Sequence, residues 1–188
     1  MSVRLEEIHP MLVHYPLALL PTAVGADLLA RATGSERLAD VGRTLMPFAA
    51  ASAAVAAVAG IVAQEEVQAD AEAQTLLVTH RNLNLSLVSM ATALAAWRWR
   101  QKQAGTGYLA LALAGLGVMG YSAYLGGKMV YDHGLGVRAA DGLADPDAPE
   151  ITAGNVGAMA RRAGRDVERG IGHAIADLRT ADPVPAIG

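Results

Sequence analysis

Four apolar stretches organise the chain up to about residue 130, each near the ~20 residues a helix needs to cross a hydrocarbon core. They cover residues 10–31, 44–64, 78–97 and 107–127. A soluble helical domain of this size shows a polar stripe on every helix, whereas the second and fourth stretches are apolar almost all round and rich in Ala and Gly. The expected fold is therefore all-α: an up-and-down four-helix transmembrane bundle over residues 1–137.

Composition points the same way, with 53% hydrophobic and 18% charged residues in 188. A net charge of -3 gives no support for nucleic-acid binding, and the expected partner is the lipid bilayer. With no cysteine, disulfides, thiolate iron–sulfur ligation, c-type haem attachment and thiolate nucleophiles are all excluded. The opening MSVRLEEIHP has two acids beside one base and no cleavable leader pattern, so the first span is read as retained.

Basic residues suggest sidedness. One face of an up-and-down threading receives Arg31, Arg37, Arg43, Arg98, Arg100 and Lys102; the other holds Arg4, Arg81, Lys128 and Arg138 and the acidic segment EEVQADAEAQTLLVT. By the positive-inside bias the first face is cytoplasmic, giving a multi-pass protein of a bacterial inner membrane with both termini outside. Asp27, near the cytoplasmic end of the first span, reads equally as an interfacial acid or as a partner for Arg31 at i+4.

Beyond a Pro, Asp and Gly-rich linker at 138–152, residues 153–188 hold an amphipathic helix and a disordered end. Val156, Ala160, Ala163, Val167, Ile171, Ala174 and Leu178 recur at helical spacing with Arg and Asp opposite. Such a helix packs on its own bundle, lies among headgroups or docks on a partner.

The same threading brings His14, His80 and His133 to one membrane face. An ionisable side chain within a span is costly and normally faces the bundle interior or a water-filled cavity. His14 falls between Pro10, read as a helix opener, and Pro16, which frees the carbonyl of Leu12 and bends the helix. His80 opens the third span with Asn84 on the same face. His133 follows the fourth, where Gly126, Gly127, Gly134 and Gly136 let the chain turn back, and the stripe Tyr121, Tyr124, Lys128, Tyr131 lines a cavity beside it. His9 precedes the helix and faces solvent; it lies ~140° around an ideal helix from His14, a poor rigid metal pair. His173 reads as a surface residue.

Three readings remain open on these residues. A b-type haem fits between two of His14, His80 and His133, with Lys128 and Arg81 neutralising its propionates, and would make this an electron-transfer protein working with a redox partner or a larger membrane complex. A zinc, iron or copper site would recruit His14, His80 and His133 together with His9 and Glu65 or Glu66. A structural or assembly subunit would bind no cofactor and use the same side chains only for interhelical hydrogen bonds. None of the three specifies an enzymatic reaction.

IHPMLVHYPLALL at the start, a His opening the third span, and GGKMVYDHGLGV after the fourth together resemble the bacterial membrane family catalogued as domain of unknown function 2231. The resemblance runs from Ile8 to Val137 and leaves out the tail; Tyr15 stands where Phe is commoner. It implies four helices and a redox context, since similar domains occur joined to cytochrome-like or Rieske-like modules, and it implies no established activity.

Overall fold

A computed structural model of the chain describes residues 4–136 and 151–180. The expected linker from Arg138 to Glu150 and the end from Ala181 lie outside the described residues, as does the Leu178 side chain. The described residues form six helices: α1 (Leu5–Leu12), α2 (His14–Thr33), α3 (Glu36–Glu66), α4 (Ala71–Trp99), α5 (Thr106–Tyr131) and α6 (Val156–Thr180). The chain is all-α, as its periodicity requires.

The helical runs Leu5–Thr33, Glu36–Glu66, Ala71–Trp99 and Thr106–Tyr131 each overrun the apolar stretch inside them, because polar caps and not the loss of apolarity set their ends. Gly34 closes α2 in the left-handed region at φ 70, its N–H bonded to the Ala30 carbonyl, and Ser35 Oγ then accepts from Leu38 N–H to open α3. Asp70 Oδ1 accepts from Ala73 N–H at 2.7 Å and starts α4 at Ala71, well before His80. At the beginning, helix forms from Leu5 and Pro10 lies inside α1, so His9 is a helical residue and not a solvent-facing one in front of the helix. Proline there forfeits one backbone bond, to the carbonyl of Glu6, which a short helix tolerates. The break at Val13 falls beside the Leu12 carbonyl that Pro16 leaves without a donor.

Among the described residues, three helical stretches are long and apolar enough to cross a membrane: Leu5–Thr33, Glu36–Glu66 and Thr106–Tyr131. Only 28%, 39% and 22% of their apolar windows are buried within the protein, so most of that surface faces outward and needs lipid to cover it. Phe48, Val55 and Leu113 are such outward side chains. The third expected span does not reach the same apolarity. Although α4 has 29 residues, its middle carries His80, Arg81, Asn82 and Asn84.

The chain divides into two compact units. One gathers the described residues of Met1–Met11, Val58–Asn82 and Tyr124–Gly188; the other comprises Leu12–Ala57 and Leu83–Ala123. The second unit has the larger core, in which Leu20, Val24, Met46, Leu94, Tyr108 and Leu109 interlock. Ala23, Ala49, Ala91 and Ala112 between them let the backbones approach, the usual device of membrane helix packing. In the first unit the apolar core is small, Leu77 with Met129 and Leu135, and polar contacts hold much of the rest.

Candidate functional site

Within the first unit, His9 of α1 and His80 of α4 meet. Their ring centres are 6.5 Å apart with planes at 85°, and both side chains are half-buried. Glycines on two further helices make room for them. A Cβ at Gly60 of α3 would sit 3.0 Å from His9 Cε1 and Nδ1, and one at Gly126 of α5 would sit 3.3 Å from His80 Cε1. Four helices thus close on two imidazoles, and the two backing positions carry no side chain.

Charged residues of the same unit are committed to one another. Arg81, 7% exposed, donates Nη2 to Asp177 Oδ2 at 2.6 Å and to Asn82 Oδ1 at 3.2 Å, with Nη1 3.5 Å from Gln64 Oε1. Glu66 accepts two parallel bonds of 2.7 Å from Arg162, and Glu65 Oε1 lies 3.1 Å from His173 Nδ1. Asp166, fully buried, pairs with Arg169. Asp177, Arg162 and His173 all belong to α6, so this amphipathic helix packs on its own bundle through the last residues of α3 and Arg81 of α4.

The other expected site residues are dispersed. His133 Nδ1 is 3.9 Å from Asp70 Oδ2, an ion pair when the imidazole is protonated, in a turn where Gly134 and Gly136 take φ 61 and 76. Lys128 reaches Asp132 at 3.7 Å. His14 belongs to the second unit and its side chain is exposed. The tyrosine stripe does not line a cavity, because Tyr124 and Tyr131 are 61% and 89% exposed; on a span, such residues face outward. Among the described residues no group of three or more His, Asp or Glu is arranged to hold a metal ion.

A family model described as a predicted membrane protein, DUF2231, matches residues 6–139. The chain belongs to the DUF2231 family. No curated protein and no solved structure matches it. The DUF2231 match takes in almost all of α1 and the whole of α2–α5, with His9, His14, His80 and His133, and leaves α6 outside.

The second unit of this DUF2231 chain holds a polar centre that its sequence did not announce. Asp27 and Arg98 are both fully buried. Arg98 Nε donates to both Asp27 oxygens at 2.9 Å, Nη2 to Asp27 Oδ1 at 2.8 Å and to the Ala39 carbonyl at 2.7 Å, and Nη1 to the Gln101 carbonyl at 2.6 Å. Asp27 therefore pairs with Arg98 and not with Arg31, whose guanidinium reaches Thr106 at 3.5 Å. Gly42 is the permissive position here, since a Cβ there would run into the Asp27 carboxylate. This constellation ties α2, α3, α4 and the turn after α4 together and reads as a clamp.

Proposed function

We propose that the protein is a four-span membrane protein that binds a b-type haem through His9 and His80 and works in electron transfer. The observation that carries this reading is the edge-to-face imidazole pair. Imidazoles on opposite sides of one metal, bonded at about 2 Å, have ring centres roughly 6 to 6.5 Å apart, whereas a tetrahedral ion draws them to about 5 Å. The 6.5 Å separation suits the first case. Two imidazoles are also the full protein donor set a six-coordinate haem needs, and no cysteine is required. Haem held there would supply one-electron redox chemistry. The chain's own contribution is to fix the two rings on separate helices against Gly60 and Gly126.

The same contacts favour α4 as the fourth span. Its polar residues are what deny it the apolarity of the other three, and Arg81 is buried while His80, Asn82 and Asn84 are half-buried, so a membrane would not meet them as free polar groups. The short turns bearing Arg31, Arg37, Arg100 and Lys102 favour a cytoplasmic location for that side, with both termini outside.

Visible spectra of the purified protein, oxidised and reduced, test the haem reading. A Soret band that shifts on reduction is expected, lost or converted to a five-coordinate form in His9→Ala and His80→Ala and retained in His14→Ala. Absence of the band after haem reconstitution, or stoichiometric zinc or copper in its place, would overturn it.

A further inference from the structure

The tail helix α6 lies outside the family match, and it has three distinct faces, not two. At ~100° per residue, Met159, Arg162, Asp166, Gly170, Ala174 and Asp177 share the face turned to the protein. That face is fixed by the Glu66–Arg162 and Arg81–Asp177 pairs, and Gly170 lies directly over Ile61 of α3, where a Cβ would collide with the isoleucine side chain. With that face held, two others point away. One is apolar: Val156, Ile171 and Ile175 are 54%, 46% and 44% exposed, in line with exposed Ala160. The next is basic. Arg161, Arg165 and Arg179 are exposed and have no carboxylate partner among the described residues, and α6 carries five arginines against three carboxylates.

An apolar stripe beside a cationic stripe is the pattern of a helix lying in a bilayer surface, with aliphatic side chains in the acyl boundary and guanidinium groups on phosphates. Position argues for the bilayer as occupant. The helix docks on the last residues of α3, itself one of the three apolar helices, and Val58, less than one turn before Ile61, is 50% exposed. The outward apolar surface of α3 thus runs to within a turn of the place where α6 sits.

We propose that α6 is an interfacial helix seated on anionic phospholipid, with Val156, Ile171 and Ile175 entering the acyl boundary and Arg161, Arg165 and Arg179 binding headgroup phosphates. Anionic lipid then favours the docked tail, and the tail covers the Glu65, Glu66 and Arg81 end of the first unit. This inference is independent of whether the imidazole pair holds haem.

The chain has no cysteine, so single probes can be placed in the full-length protein. An environment-sensitive fluorophore on Ile171→Cys or Ile175→Cys is compared with one on Ala176→Cys, an exposed position ~100–140° further round the helix, in vesicles of phosphatidylglycerol and phosphatidylcholine containing brominated acyl chains. Quenching about threefold greater at Ile171 and Ile175 than at Ala176 is expected, falling in pure phosphatidylcholine and in the Arg161→Gln/Arg165→Gln variant. Equal quenching at the three positions would overturn the proposal by showing a solvated stripe. So would shielding that ignores the quencher but follows protein density, which would make a second copy the occupant. Quenching unchanged by lipid charge and by the glutamines would overturn the role given to the arginines.

Discussion

Arg98 spends all three nitrogens on partners drawn from three separate segments, and neither it nor Asp27 has any exposed surface. Desolvating two charges is expensive, and the pair is tolerable because the carboxylate and two backbone carbonyls give every nitrogen of the guanidinium at least one acceptor. Removing one partner leaves the other charge buried alone. Arg98→Ala or Asp27→Ala should therefore destabilise the protein by about 3–5 kcal/mol, seen as an earlier thermal midpoint in detergent. Arg98→Lys should rescue little, since an ammonium lacks the fork. An apolar double replacement, Asp27→Leu with Arg98→Met, should melt much closer to wild type, because no orphan charge remains. Single alanine variants that melt like the parent would show the pair to be idle. Nothing local in the sequence signals this contact, because its members are 71 residues apart. Asp27 reads locally as an interfacial acid or an i+4 partner of Arg31, and Arg98 as one more base beside Arg100 and Lys102, and each local pattern is plausible by itself.

At the scale of elements, the imidazole pair depends on two helices that contribute only backbone. Gly126→Ala on α5 would bring a Cβ to 3.3 Å from His80, and Gly60→Ala on α3 one to 3.0 Å from His9. Helix propensity gains roughly 0.5–1 kcal/mol from either change, while crowding a packed site costs about 1–3 kcal/mol, so both variants should be destabilised and should perturb the spectrum of any haem held there. Gly117→Ala, on α5 with nothing within 4 Å, is the control and should be neutral or stabilising. If Gly126→Ala and Gly117→Ala behave alike, the rings do not press on the backbone. The apolar stretches were legible because a membrane helix leaves a long uniform run. The helix ends were not. AEAQTLLVT ahead of His80 is interrupted by Glu72, Gln74, Thr75 and Thr79, so the run test begins α4 too late, and only the Asp70 cap marks its true start. Pro10, taken as an opener, hid the fact that His9 is helical, and with it the His9–His80 contact. The stripe on α6 was visible as periodicity, but which face docks was decided by Glu65, Glu66 and Arg81, far away in sequence.

For the whole molecule the open quantity is the number of crossings, and reporter fusions after Arg37, Lys102 and Gly136 decide it by parity. If α4 crosses, the fusions after Arg37 and Lys102 report the same side and that after Gly136 the opposite one. If only the three apolar stretches cross, Arg37 and Gly136 share a side and Lys102 stands alone. This comparison does not depend on orientation, which the same fusions then give. The turns between α2 and α3 and between α4 and α5 are short and flanked by Arg31, Arg37, Arg100 and Lys102, whereas Asp70 and Glu72 flank the turn before α4. The bias counts lysine and arginine and not net charge, so the pairing of Arg98 with Asp27 and of Arg43 with Asp40 does not weaken it. The α6 arginines lie beyond its usual reach of ~15–20 residues from the last span. The expected outcome is cytoplasm for Arg37 and Lys102 and the outside for Gly136. The reverse on all three would keep four spans and turn the molecule over. A lone Lys102 fusion would confine α4 to one side of the membrane, where the bilayer would no longer force burial of Arg81 and His80.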